Sequence, residues 1–369
     1  MPLVVLIFCI FFIELAGRHA LRDKEIWLSK NWKLFQDLFC LSEFQKHPSD
    51  TTLGRVLKNV SSKELQKCIS EILRILQGIY IQSLSTVHYA LDGKSRSGVL
   101  SQLTGRTAID LTLLSTLTTS VIGKITLEDK KGESTSTPIL LFDVFRNNFQ
   151  NGVITFDCAM TTPAVTKAVI ESGNEYIGSL KGFNGKVYEI AEEYDWGCVE
   201  VCVSESKKGH GRKEERNMKM IELSKLPEEQ RKEFSKYSEA DIILKVERHR
   251  TVTKTNQKTI ETAYFIGSSG LSHLKSEEIF KIQRDHWLIE NRSNWVRDVV
   301  LREDKSTIKS KNASEFLGGI RDLVLSVGFK DGNKNMSEYM RDFSSAPKNA
   351  VLNLRSLDSY EFLNKHGIL

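Results

Sequence analysis

The stretch from residue 153 to residue 181 leaves this chain little choice of fold. Val153-Ile154-Thr155-Phe156-Asp157 is a short apolar run of strand type. Thr162-Pro163 then gives a helix start, a side-chain cap followed by proline at the first helical position. Gly173 is a natural helix stop, and Tyr176-Ile177-Gly178-Ser179-Leu180-Lys181 is a second strand. Two strands joined through a helix in so short a span make a βαβ unit, so the sheet is parallel here and its crossover right-handed.

Upstream, Val87-His88-Tyr89-Ala90-Leu91-Asp92 is strand-like and ends at Gly93-Lys94. The runs 107–114 and 120–127, rich in Thr, Ile and Leu, follow with a polar break between them, as in an antiparallel meander. Thr137-Pro138 opens a helix carrying Ile139, Leu140, Phe142 and Val144, and Asn151-Gly152 turns the chain into the βαβ unit. Three antiparallel strands extended by parallel ones have the outline of an RNase H-like domain. That order puts Asp92 on the first strand and Asp157 at the carboxyl end of a parallel strand, where open α/β sheets carry their chemistry. A lone aspartate at a strand end is ordinarily a turn former. Two in matching places point to a site.

A third acid comes from residues 284–304, which hold no Gly or Pro and read as helix, with Ser276 as N-cap and Glu277 and Glu278 in the first turn. His286, Glu290, Ser293/Asn294 and Arg297 fall on one face at helical spacing, with His286 and Arg297 beside Glu290 to meet phosphate. A surface helix laced with ion pairs is the plainer reading of the same residues. Asp298, Glu303 and Asp304 compete with Glu290 as the third acid. Asp298 lies about 80° off the Glu290 face, and the other two sit at the helix end.

Asp, Asp and Glu from separate elements are the minimum set for two divalent metal ions, Mg2+ or Mn2+, about 4 Å apart. Three unpaired carboxylates would raise one another's pKa unless cations sat among them. No Ser-His or Cys-His pairing competes as a nucleophile. A phosphodiester is the substrate such a site suits.

Composition adds limits only. Hydrophobic content of 40%, charged content of 27% and a net charge of +5 describe an ordinary globular chain that permits a nucleic-acid partner without requiring one. The six cysteines lack zinc-site spacing and read as reduced core residues of a cytoplasmic protein. The apolar run 3–13 has the look of a signal h-region but no basic segment before it, and Glu14 and Gly17 close it short of a membrane span. It reads better as a buried helix, with no membrane partner.

The expected organisation has five parts. Residues 1–83 form a small all-helical domain; Ser61 and Glu64 make a capping box in it, and its short helix, turn and longer helix could read DNA or simply pack. Residues 84–184 are the first part of the α/β core. Residues 185–270 are an inserted β-rich subdomain whose basic turn, Lys207 to Lys213, is either solvated ribbon or a DNA-backbone contact. Residues 271–329 carry the Glu290 helix. Residues 330–369 are a weakly patterned tail.

The chain resembles the H-repeat-associated (ISAs-type) DDE transposases of bacterial insertion sequences. The blocks carrying the resemblance are His88-Tyr89-Ala90-Leu91-Asp92-Gly93-Lys94-Ser95, Thr155-Phe156-Asp157-Cys158-Ala159-Met160 and Glu175 to Gly182. To these are added Gly209-His210-Gly211-Arg212-Lys213-Glu214-Glu215-Arg216, Tyr264 to Ser269, and Asp285-His286-Trp287-Leu288-Ile289-Glu290-Asn291 running on through Trp295, Asp298-Val299 and Glu303-Asp304. The resemblance implies an RNase H-like mixed sheet with a β-rich insertion before the last catalytic helix, preceded by a helical domain that is here shortened at its start. It implies metal-dependent strand cleavage and transfer through Asp92, Asp157 and Glu290, with two Mg2+ or Mn2+ ions. Its DNA partners are the element's terminal inverted repeats and the target duplex, with room for a homodimer. Lys94, Lys181, His210 and Arg212 would lie near the DNA. Asn294 and Arg297 stand where the family more often has His and Leu. The alternative is an inactive remnant that only binds DNA.

Overall fold

The computed structural model of the chain describes residues 1–81, 86–96, 108–127, 132–145, 152–209, 211–306, 308, 310–330 and 335–348, with backbone alone for 74–81, 96 and 330. A nine-stranded sheet in the order β3-β2-β1-β4-β5-β9-β8-β7-β6 organises them. Its first half is the meander β1 (Val87–Arg96), β2 (Ala108–Ser115) and β3 (Ser120–Leu127), extended by β4 (Gly152–Phe156) and β5 (Glu175–Leu180). β1 and β4 run parallel, as do β4 and β5, and the helix between the latter pair, Pro163–Glu171, is capped by Thr162, whose hydroxyl accepts from Val165 N at 3.3 Å. Gly173 at φ 76° ends that crossover, a conformation glycine reaches without steric cost.

The β-rich stretch does not stand apart as an inserted subdomain. β9 (Lys258–Ser268) pairs antiparallel with β5, and β8 (Ala240–Val252), β7 (Arg212–Glu222) and β6 (Val203–Gly209) follow outward in the same sheet. The edge that β5 would otherwise expose is filled by hydrogen bonding, which the sequence pattern does not announce.

Helices take the labels α1 (Leu3–Leu15), α2 (Leu21–Phe39), α3 (Asp50–Asn59), α4 (Ser62–Ile81), α5 (Glu133–Phe145), α6 (Pro163–Glu171), α7 (Lys186–Glu193), α8 (Glu228–Phe234), α9 (Ser276–Asp285), α10 (Lys311–Lys330) and α11 (Met336–Ser345). One face of the sheet, with Tyr89, Leu91, Ile154, Phe156 and Tyr176, packs against α5, α6 and α7. The other, with Val153, Ile177, Met218, Leu244 and Phe265, packs under Ile279, Phe280 and Ile282 of α9. By strand alternation Asp92 and Asp157 belong to this second face, two residues on from Ala90 and Thr155.

The N-terminal helices share a core with the C-terminal ones. Cys9, Ile13, Leu28, Phe35, Leu53 and Ile69 lie in one buried cluster with Phe316, Ile320, Met340 and Phe343. The stretch expected to be a loose tail therefore contributes α11, because Met336, Met340 and Phe343 at helical spacing find an apolar partner in that core. Within α1, Glu14 is buried and paired with Lys24 and Arg321. No helix among the described residues is long and apolar enough to cross a membrane.

Other expectations need correction. Of the cysteines only Cys9 is buried; Cys158 is half-buried, and Cys40, Cys68, Cys198 and Cys202 are exposed. Trp196–Cys198 forms a short 3-10 turn, which Asp195 caps by accepting from Gly197 N at 3.0 Å. α5 opens at Glu133, four residues before Thr137, whose hydroxyl bonds back to the Glu133 carbonyl at 2.9 Å. Ser276 is the first residue of α9, not its cap: Lys275 holds that position, its N–H accepted by Glu278 Oε2 at 3.0 Å.

The continuous helix expected through residue 304 is also interrupted. α9 ends at Asp285, the chain turns through His286 and Trp287, and Ile289–Asn294 and Val296–Val300 form wider π-helical turns. Four buried anchors explain the widening. Ile289 packs on Ala90, Leu114 and Val121, Val296 and Leu301 join the helical core, and Arg297 enters a cluster of carboxylates. Tertiary anchoring overrides the α spacing, and π turns of this kind concentrate at functional sites. Arg302 in the left-handed region (φ 52°) ends the segment, so Glu303 and Asp304 fall in a following 3-10 turn.

Candidate functional site

Asp92 lies on β1 level with the start of the loop after β4, because Leu91 is opposite Phe156 in the parallel register. Asp157, first residue beyond β4, fixes its own loop by accepting from Met160 N at 3.0 Å, while its carbonyl accepts from the Thr161 hydroxyl at 3.0 Å. The π-helical segment crosses this strand end and delivers Glu290 and Asn294. Asn294 Nδ2 donates to Asp92 Oδ2 at 3.0 Å, and the Glu290 carboxyl lies close to both Asn294 and Asp92. Of the four competing acids, then, Glu290 is the one beside Asp92.

Electrostatics follow from this crowding. Burial raises the Asp92 pKa, and the nearby Asp157 charge raises it further, against the opposing pull of His286 and of hydrogen bonds from Gly93 N–H and Asn294. Burial likewise raises Glu290, with Asp92 adding to it. His286 does not supply a strong counter-charge, since burial lowers its pKa despite the two aspartates. It is held by a bond to the Thr155 hydroxyl (2.9 Å), which also meets His88 Nε2 at 2.9 Å; His88 Nδ1 in turn meets Thr116 Oγ1 at 3.0 Å. His88 is buried and its pKa lies well below the usual value for that reason, so this chain of groups is a neutral brace behind the acids.

The remaining residues singled out for DNA contact divide. Lys181 is exposed just past the end of β5, near Cys158. Arg212 pairs with Glu214 at 2.7 Å on the distal strands. His210 lies outside the described residues. Lys94 and Arg297 must be reassigned. Lys94 is buried, 2.6 Å from Asp298 and 3.7 Å from Glu303. Arg297 is wholly buried among Asp110 (3.0 Å), Glu303 (2.9 Å) and Asp322 (3.6 Å). Burial opposes its charge, but the three acids more than offset that and hold its pKa well above the ordinary value. Neither cation faces outward to a phosphate: Lys94 is committed to Asp298 of the π segment and Glu303 of the turn after it, and Arg297 to Asp110 of β2, Glu303 and Asp322 of α10. His88, Thr155, Asp110 and Asp322 went unnoticed as supports of the site. The first two stand inside the motif blocks; Asp110 and Asp322 give no sequence signal.

The donor chemistry suits divalent cations. Asp92 lies near Asp157 on one side and Glu290 on the other, and the buried cations Lys94 and Arg297 are turned to other acids. As placed, however, no three His, Cys, Asp or Glu side chains among the described residues form a set that could hold an ion.

No family model matches the chain. It is 25% identical over 289 residues to the "H repeat-associated putative transposase YhhI" of Escherichia coli (strain K12), covering 76% of this chain and 73% of that protein. Over 292 residues it is 27% identical to the "Putative transposase YncI" of Escherichia coli O157:H7, covering 76% of this chain and 70% of that one. The "Putative protein YbfL" of strain K12 is 25% identical, with 76% and 73% covered. Among solved structures, the piggyBac transposase synaptic complex with hairpin DNA aligns at a TM-score of 0.42 and 11% identity, over 99% of this chain and 76% of that one, a likeness too weak to bear an argument. Over about three quarters of its length the chain is thus similar to H repeat-associated putative transposases of Escherichia coli.

Proposed function

We propose that the chain is a DNA transposase that cleaves and transfers strands through Asp92, Asp157 and Glu290. The observation that carries this reading is the bond from Asn294 to Asp92, which holds the Glu290 segment over Asp92 of β1 where Asp157 leaves β4. The three carboxylates would hold divalent ions, two Mg2+ or Mn2+. When bound, such ions activate an attacking oxygen and stabilise a leaving one in phosphoryl transfer.

The chain's own groups do the rest. Asn294 keeps Asp92 and Glu290 oriented with a neutral donor that leaves both free to ionise. Thr155 fixes the His286 ring from behind, and Lys181 stands exposed where a phosphodiester would enter. Double-stranded DNA is the partner, first the element's terminal repeats and then a target.

The test is cleavage of a duplex bearing those repeats, with Mg2+ or Mn2+. Wild-type protein should cut it, and Asp92→Asn or Glu290→Gln should abolish cutting while duplex binding persists. Wild-type protein that binds the repeats with either metal and never cuts would turn the assignment to a DNA-binding remnant.

A further inference from the structure

The outer strands carry an arrangement of charge that the carboxylate site does not use. Across β6, β7, β8 and β9 the registers place Glu205 opposite Arg216, Lys207 opposite Glu214, Arg216 opposite Arg248, Glu214 opposite Arg250 and Arg248 opposite Glu261. Directly opposed residues share a face. Lys207, Arg212, Arg216, Arg248 and Arg250 therefore lie on one face with only Glu205, Glu214 and Glu261 among them. It is the face of Met218 and Val246, which pack with α9, and so the face on which Asp92 and Asp157 lie. Lys208 and Lys213, opposed to each other, lie on the reverse face.

The direction matches as well. Tyr264 of β9 is level with Leu180, the last residue of β5, yet β9 begins at Lys258. Those six further residues project about 20 Å past the end of β5, the end at which Asp157 and Lys181 lie. The ribbon is thus a wall rising beside the carboxylates, with its guanidinium face turned the same way.

Within that face a single carboxylate serves three arginines. Glu214, 9% exposed, pairs with Arg212 at 2.7 Å, Arg216 at 2.8 Å and Arg248 at 2.7 Å, whose side chains are 35%, 22% and 30% exposed. Burial opposes ionisation of Glu214 less than Arg248 favours it, so its pKa is lowered. Among the described residues Arg250 has no ion pair, and its Nε is buried without a hydrogen-bond partner. The acid at the centre repels a compact anion seated there. The donors spread around it over three strands suit an extended polyanion whose phosphates pass outside it.

We propose that this arginine face is the track that holds the phosphate backbone of duplex DNA alongside the carboxylate site. The proposal rests on the nuclease reading above and adds the surface that orients the duplex. Two faces of one ribbon give an internal control. The full-length chain is titrated with a short duplex of arbitrary sequence over a range of salt. Arg216→Gln with Arg250→Gln should flatten the slope of log affinity against log salt by about 1.8, at about 0.9 per lost phosphate contact. Lys208→Gln with Lys213→Gln, which removes equal charge from the reverse face, should leave it unchanged. Glu214→Gln, which frees three guanidiniums from their competitor, should tighten duplex binding at least several-fold, a gain misfolded protein could not show. Equal slopes for both pairs, a larger effect from the lysines, or weaker binding by Glu214→Gln would overturn the track. Cleavage measured on the same samples separates the two readings. Retained cleavage with an insensitive slope rejects the track alone, and the expected slopes with no wild-type cleavage under either metal reject the nuclease alone.

Discussion

Asn294 donates to Asp92 across 202 positions of sequence, at 3.0 Å. That bond ties the π-helical segment to the strand carrying the first acid. Its neighbour Lys94, two residues along the same strand, reaches Asp298 on the same segment at 2.6 Å. Strand and segment are thus stapled twice, once at the acids and once behind them.

The first bond predicts how Asn294→Ala behaves. Asp92 and Glu290 keep their chemistry but lose the group that orients both. The metal concentration for half-maximal cleavage should rise about 10- to 100-fold, as when other supports of metal ligands are removed. The melting temperature should move little. A large loss of stability with unchanged metal dependence would make Asn294 a packing residue only.

Crowded carboxylates also fix a sign. The folded-state pKa of Glu290 is raised, first by burial and then by Asp92. Such a group contributes its stability below the unfolded-state pKa and loses it as pH rises through the folded-state value. In metal-free protein, Glu290→Gln should therefore be more stable than wild type at neutral pH, and the advantage should vanish below about pH 4, where the wild-type carboxyl is protonated and as neutral as the amide. Thermal melts of the pair across that range test this; an advantage that grows on acidification would contradict the environment described.

Arg297 supports the opposite kind of prediction. Arg297→Met leaves Asp110, Glu303 and Asp322 buried around an apolar side chain. The loss should be about 3–5 kcal/mol, the usual result of removing one partner from a buried pair. Arg297→Lys should restore little, because one ammonium cannot fork toward three acids. Urea unfolding of the two variants measures it, and a loss under 1 kcal/mol for Arg297→Met would show that the acids simply take up protons.

Lys94→Met separates the reassigned lysine from a DNA ligand. With its ammonium committed to Asp298 and Glu303, the variant should bind duplex DNA with an unaltered salt slope while losing stability. A slope flatter by about 0.9 would return Lys94 to the phosphates.

The N-terminal helix should behave as part of the core. α1 buries Cys9, Ile10, Ile13 and Leu15, and its Glu14 is held by Lys24 and Arg321. The protein should leave the membrane pellet on salt washing. Retention through salt and alkaline washes would mean that α1 sits in lipid instead.

The sequence by itself determined whatever repeats at short range. The βαβ unit, the capped start at Thr162, the meander and the placing of Asp92 on the first strand and Asp157 just past a parallel one follow from periodicity and turn chemistry within a few dozen residues; that β1 runs past Gly93-Lys94 to Arg96 does not. That Glu290 approaches Asp92 was expected from the face it shares with His286 and Asn294; of the two apolar residues beside it, Ile289 is buried and Trp287 is exposed. Only the tertiary structure decided the rest. That β9 pairs with β5, and so carries the ribbon into the same sheet, depends on an edge no local pattern records. Lys94 and Arg297 look like phosphate ligands in sequence because their motif neighbours are polar. Their fate was set by Asp298 and Glu303 for Lys94 and by Asp110, Glu303 and Asp322 for Arg297, which meet only when β1, β2, α10 and the π segment close on one another. A cation takes the nearest acid that shares its low-dielectric surroundings, and which acid that is depends on distance in space, not in sequence.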